Sequence, residues 1–165
     1  MLPGATGDHP AAATTDDKVN DVANPQACIS PGVMFSVTFK ATGKISFGHG
    51  HTLTYDQVLE NAGGYYEMTN YTFDAPVAGL YRFTVHALSD ILSGSACVGL
   101  RKNYDTIVKT LDTRQGPPAA SLEATLHLLK DENVSVVATC ETKLWQFQEW
   151  NRFSGHLMYE DDCLF

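Results

Sequence analysis

From Val33 onward the chain sets apolar side chains on every second position, in short runs parted by Gly, Pro, Asn and Asp. In "VMFSVTFK", Val33, Phe35, Val37 and Phe39 share one face, with Met34, Ser36, Thr38 and Lys40 on the other. In "GLYRFTVHAL", Tyr81, Phe83, Val85 and Ala87 oppose Leu80, Arg82, Thr84 and His86. A period of two marks a strand with one buried face, because successive Cβ atoms leave the backbone on opposite sides. Pro76 and Gly79 turn the chain just before the second run, and no breaker follows. A central strand requires this, since a proline within it would delete a ladder hydrogen bond.

"CVGLRKN" and "DTIVKTLD" predict two shorter strands about a turn at Lys102-Asn103. "SLEATLHLLK" alternates Leu122, Ala124, Leu126 and Leu128 with Glu123, Thr125 and His127, which fits a strand. The same stretch also has a helical reading, with Leu122, Leu126 and Leu129 on one face. Lys130 to Asn133 form a polar turn, "VSVVATC" a β-branched strand and "RFSGHLMYED" the closing one. Many short strands between such turns predict an all-β sandwich or jelly roll.

Residues 1–31 break the pattern. They are rich in Ala, Thr, Asp, Gly and Pro and nearly devoid of large apolar groups. Such a stretch cannot bury enough surface to offset its ordering entropy, so a mobile leader or linker is expected there, with the globular domain over 32–165. The start lacks a charged segment followed by an apolar one and so does not read as a signal peptide, which leaves either a cytosolic protein or a mature fragment with an added Met1. No apolar run approaches the roughly 18 residues that span a bilayer, so no membrane insertion is expected.

Charge narrows the partners. Eleven Lys and Arg against nineteen Asp and Glu give a net charge of -8. Nucleic acid, whose phosphates are captured chiefly by Lys and Arg, is an unsuitable partner. Four cysteines, an even number, and two sequons, at Asn70-Tyr71-Thr72 and Asn133-Val134-Ser135, point to a secreted, extracellular glycoprotein.

Catalytic signatures are missing. No serine sits in a Gly-x-Ser-x-Gly elbow, and neither Cys-x-x-Cys, His-Glu-x-x-His nor a phosphate-cradling glycine loop occurs, so no enzyme is expected. "Gly48-His49-Gly50-His51" places the imidazoles of His49 and His51 on one side of an extended backbone, within reach of a shared soft cation. A polar loop accounts for the pair equally, since such metal sites use three or four ligands. The best recognition candidate runs from Glu141 to Trp150 and holds both tryptophans of the chain. There Trp145 and Trp150 alternate with Gln146 and Gln148, and aromatic faces beside amides suit sugar rings. Packing of Trp150 in the core or a subunit interface is the competing reading. Arg101, Asn103 and Tyr104 form a second polar and aromatic turn.

"FDAPVAGLYRFTVHA" resembles the signature of the C1q globular-head family, in which a Phe, a Pro, a Gly-x-Tyr-x-Phe and a His recur in this order. "FSVTF" at 35–39 resembles the family's first strand, and "TYDQVLENAGGYY" at 54–66 its aromatic-x-x-Val-x-x-Asn segment. "CVGL", "LHLLKDENVSVVA" and "FSGHLMYED" resemble later strands, so the likeness runs from 33 to 161. Two departures stand out: Thr69 to Thr72 replace the usual Thr-Gly before Phe73, and His156 stands where an aromatic is usual.

The resemblance implies a ten-stranded jelly roll of the C1q/TNF type that assembles as a homotrimer. It implies that 141–150 is a long exposed loop. In that topology the first and last strands are neighbours, which implies a Cys28–Cys163 bridge, and the strands at Cys97 and Cys140 are neighbours, which implies the second bridge. It also implies that His86 and His156 face the trimer axis, hydrogen-bonded there or acting as a pH-sensitive contact. Calcium is a possible cofactor in such a family. Three roles follow as expectations: a lectin-like pattern-recognition protein of innate immunity for glycans or microbial surfaces, a signalling ligand for a receptor ectodomain, or an extracellular metal-binding protein.

Overall fold

The computed structural model describes residue 4 and residues 32–163, apart from 91, 93 and 115. Residue 4 excepted, the expected leader lies outside the described residues, and so does Cys28 with the bridge assigned to it. Twelve strands are described: β1 Met34–Thr38, β2 Lys44–Phe47, β3 Gln57–Ala62, β4 Tyr66–Glu67, β5 Thr72–Asp74 and β6 Gly79–Leu88 in the first half. The second half holds β7 Cys97–Lys102, β8 Thr106–Asp112, β9 Ala119–Leu128, β10 Asn133–Ala138, β11 Thr142–Trp145 and β12 Arg152–Glu160.

Ten of these form two five-stranded sheets, ordered β3-β1-β12-β6-β9 and β4-β5-β10-β7-β8. Their pairings are antiparallel throughout. The architecture is the all-β jelly roll that the alternation predicts. To its ten strands the chain adds a two-stranded ribbon of β2 and β11. Among the described residues no helix is long and apolar enough to cross a membrane.

The alternation builds the core. Val33, Phe35, Val37 and Phe39 are buried, as are Tyr81, Phe83, Val85 and Ala87. The Phe35 ring reaches across the sandwich, 4.9 Å from Phe73 of the facing sheet, and also lies 4.8 Å edge-on from Phe153 of its own. Gly155 makes this cluster possible. It pairs with Phe35 on one side and Phe83 on the other, and a Cβ there would come within 2.6 Å of both rings.

The open question at 121–129 resolves as strand. β9 pairs with β6 over ten residues, setting Leu122 against Val85 and Leu128 against Gly79. Leu122 and Leu128 are buried, whereas Leu129, which the helical reading needed inside, is exposed. A period of two won because the long partner strand could absorb it.

Cys97 and Cys140 are disulfide-bonded, with Cα atoms 5.3 Å apart. The bond sits just past the Val98–Ala138 pair that joins β7 to β10.

Candidate functional site

The segment from Glu141 to Trp150 is not one long loop. Its first part is β11, paired with β2 so that Leu144 faces Ile45 and is wholly buried. Gln146 continues this inward course: its backbone N–H donates to Gly43 O at 2.6 Å and the residue is buried. Gln146 is therefore removed from the surface assigned to it, because the ribbon takes the chain inside up to that point. Trp145 is half-buried and engaged. Its ring stacks on Phe147 at 5.8 Å, and Lys44 Nζ stands 4.9 Å over it. Lys44 in turn pairs at 3.2 Å with Asp90, a buried carboxylate.

What remains exposed is the short turn from Phe147 to Trp150. Phe147 is 47% and Trp150 52% exposed, with Gln148 and Glu149 exposed between them. The turn is held from beneath by Asn151, which is buried. Its amide oxygen accepts from the Leu88 N–H at 3.1 Å, and its Nδ2 donates to the Trp145 and Phe147 carbonyls. The Thr38 hydroxyl donates to the Asn151 carbonyl, tying the turn to the end of β1. Trp150 N–H closes the turn on Phe147 O at 3.0 Å. The aromatic pair is thus exposed on a fixed backbone.

Trp150 and Glu149 overhang the end of the first sheet and enclose with His86, Ser121 and Arg152 a cleft of about 410 Å³. His86 and Arg152 stand opposite each other on β6 and β12. A second groove of about 420 Å³ continues along the outer face of that sheet past Arg82, Glu123 and Ser154 to His156. His86 and His156 therefore share one face of one sheet. His156 pairs with Arg82, four residues from His86 along β6, which separates the two by about 13 Å at strand rise. Arg82 is paired with Glu123 at 2.6 Å.

Arg101, Asn103 and Tyr104 lie at the opposite end of the sandwich. β9 starts at Ala119 beside the Trp150 cleft and ends at Leu128, and the following turn at Glu132 and Asn133 meets Asn103. Ten residues of strand span about 30 Å, so the two stretches do not form one surface. All three are engaged in structure. Arg101 donates to Thr52 Oγ1 at 2.7 Å and to the buried Ser135 hydroxyl at 3.3 Å. Asn103, at φ 53°, donates to Glu132 Oε1 at 3.0 Å and accepts the Asn133 N–H at 3.1 Å. The Leu129 N–H, then the Asn103 amide and Lys102, hold the Glu132 carboxyl below its ordinary range. Tyr104, like Asn103, is exposed; the Arg101 guanidinium lies 5.7 Å over its ring, and its hydroxyl accepts from the Asn70 amide at 3.4 Å. Asn70 is exposed, whereas the second sequon, Asn133, turns its amide oxygen inward to a buried position without a partner.

His49 and His51 are both exposed in the loop after β2, and the His51 ring packs over Gly48, where an added Cβ would meet Nδ1 at 2.9 Å. Among the described residues no three His, Cys, Asp or Glu side chains gather as a metal site.

The family model of the C1q domain matches residues 34–158. This chain belongs to the C1q domain family. A complement C1q subcomponent of Bos taurus is 32% identical over 138 residues, covering 74% of this chain and 55% of the bovine protein. Its Homo sapiens counterpart is 30% identical over 141 residues, covering 74% and 53%. The chain thus spans about half the length of the curated relatives it matches. The globular domain of zebrafish complement 1qA protein superposes with a TM-score of 0.63 at 21% identity, over 78% of this chain and 99% of that one. Eiger TNF from S. frugiperda superposes at 0.61 with 12% identity, over 79% and 95%. Both share the fold.

Two residues of this C1q domain carry weight that its sequence pattern does not single out. Asn151 reads as an ordinary turn residue, and only the convergence of Leu88, Trp145 and Phe147 on its amide reveals a clamp. Arg152 opens β12 and looks like one more outward polar position, yet it borders both grooves. The cue available in the sequence was adjacency: "WNRF" sets a tryptophan, an amide and a guanidinium side by side.

Proposed function

We propose that this C1q domain is a secreted, lectin-like recognition module that assembles as a homotrimer and binds glycans through the turn from Phe147 to Trp150. The carrying observation is the pair of exposed aromatic rings on a turn fixed by Asn151, next to Gln148, Glu149 and a cleft of sugar size. An exposed indole costs little side-chain entropy to use and offers a face for sugar C–H groups, while the flanking amide and carboxylate accept or donate to hydroxyls. Single sites of this kind are weak. Three copies presented together would supply avidity without any new contact.

A glycan array probed with the full chain, with and without calcium, tests the reading. Binding to a defined set of sugars that Trp150→Ala removes is the expected outcome, and light scattering is expected to give three times the protomer mass. An array with no bound sugar, together with recovery of one high-affinity cell-surface protein, would replace the glycan role with that of a receptor ligand. Calcium-dependent array signals would assign the cation a part in the site. Calorimetric titration of transition-metal ions against His49→Ala and His51→Ala checks the histidine loop separately.

A further inference from the structure

The two sequons, Asn70-Tyr71-Thr72 and Asn133-Val134-Ser135, read alike in the sequence, and the fold treats them oppositely. Asn70 stands exposed in the turn between β4 and β5, where Tyr71, at φ 57°, brings the chain round into β5. Its Nδ2, the atom that would carry a sugar, reaches the Tyr104 hydroxyl across the surface at 3.4 Å. Asn133 instead opens β10, which lies between β5 and β7 in the second sheet. Its N–H donates to Asn103 Oδ1 at 3.1 Å, its carbonyl accepts from the Asn103 N–H at 2.9 Å, and its amide oxygen is buried. A sugar on this carboxamide would displace it from the packed sheet.

The hydroxyls at the third positions differ more sharply. Ser135 is buried and employed: its hydroxyl accepts from Arg101 Nε and Nη2, each at 3.3 Å. Thr72 is buried and idle. The residue is 0% exposed, and its Oγ1 has no hydrogen-bond partner. Asp74, whose carboxyl is raised first by burial and then by the Glu67 and Asp131 charges, feels Thr72 least, and the two do not meet in hydrogen-bond geometry. A stranded hydroxyl costs stability, and Val would suit the strand at the same place without one. The folded protein thus gives no reason for a hydroxyl at Thr72. A reason exists before folding, when the third residue of a sequon presents its hydroxyl to the transferase.

We infer that Asn70 is the N-glycosylated residue of this chain and that Asn133 is left bare. In the transfer, Asn70 Nδ2 bonds to the anomeric carbon of a polyprenyl-pyrophosphate-linked oligosaccharide. The bond from that carbon to the pyrophosphate oxygen breaks, the lipid pyrophosphate leaves with the electron pair, and Nδ2 gives up one proton. The first sugar then lies beside Tyr104 on the second sheet, clear of the turn at Trp150 and of the face that holds His86 and His156. This rests on the secreted part of the reading above and on nothing about its ligand.

The test expresses the full chain behind a cleavable signal peptide in glycosylating insect or mammalian cells, so that entry into the secretory path is imposed. Intact mass of the secreted protein is expected to show one N-glycan, and peptide-N-glycosidase to convert Asn70, and not Asn133, to Asp. Asn70→Gln and Thr72→Val are each expected to abolish the glycan, Thr72→Ser to retain it, and Asn133→Gln to leave it in place. In unglycosylated protein from bacteria, Thr72→Val is expected to raise the melting temperature by about 2 to 4 °C, whereas Ser135→Ala lowers it.

A bare protein in the medium, or a glycan on Asn133, would overturn the inference and leave the secreted reading standing. A fall in melting temperature in Thr72→Val would overturn it as well, by giving the hydroxyl work in the fold. Loss of the chain inside the cells, with none in the medium, would remove the secreted reading and the inference together.

Discussion

The two ends of the sandwich carry turns of similar composition and opposite condition. Where β7 turns into β8, Arg101 and Asn103 are spent on Thr52, Ser135, Glu132 and the Asn133 backbone. Where the chain enters β12, Trp150 is 52% exposed, Phe147 is 47% exposed with one face stacked on Trp145, and Arg152 has no partner for its buried Nε. Both stretches read in sequence as polar, aromatic and solvated. The difference teaches that polarity in a turn does not measure availability: a group is available for a ligand only if the fold has left it unmet.

The largest expected effect comes from cutting the covalent anchor beneath the aromatic end. Replacing Cys97 and Cys140 together with Ala opens a loop of sequence separation 43 and should cost about 4 kcal/mol in urea denaturation. The ribbon is expected to loosen first, because Cys97 also shares its backbone with the Thr142 hydroxyl at the start of β11. Hydrogen exchange at Thr142 to Trp145 would report it, and a uniform loss of protection across both ends would break the contrast.

Next comes the clamp. Asn151→Ala leaves the Leu88 N–H and two carbonyls without their buried partner and should cost about 3 kcal/mol, with loss of the fixed turn. Sugar binding should fall along with stability. At the opposite end Arg101→Ala should cost about 2 kcal/mol, since it strands the buried Ser135 hydroxyl, yet leave sugar binding untouched. Thermal melts read beside titrations separate the two outcomes.

The smallest effect is one of pH. Glu132 is held below its ordinary range in the folded protein, so its contribution is complete above the unfolded value and is lost as pH falls through the folded one. Glu132→Gln should therefore make the fall in stability below about pH 4 shallower. Asp74 works against this, because burial first, then the nearby Glu67 and Asp131 charges, raise it and favour its protonated form. An acid titration of stability identical in the parent and the Gln variant would deny Glu132 its role in fixing the Asn103 turn.

Much of the fold was legible because the buried and exposed faces of β6 and β9 follow the sequence residue by residue, as does β1 up to Val37; Thr38, which the alternation sets outward, is buried instead where its hydroxyl donates to the Asn151 carbonyl. Long strands with long partners advertise themselves. The ribbon does not: β2 and β11 have four residues each, lie about a hundred residues apart and show no extended alternation, so the burial of Gln146 was hidden. Nor can a sequence disclose an unmet donor. Whether Arg152 has a partner depends on where nineteen acids come to rest, and that is decided only when the sheets close.

The pairing of β1 with β12 also fixes how the molecule can be held. Met34 lies beside His156, and β12 runs on to Glu160 opposite Gly79, so the backbone enters β1 and leaves β12 on the side away from Trp150. A tether attached through either flank, on a sensor chip or a bead, would point the indole outward into the fluid, whichever flank is used.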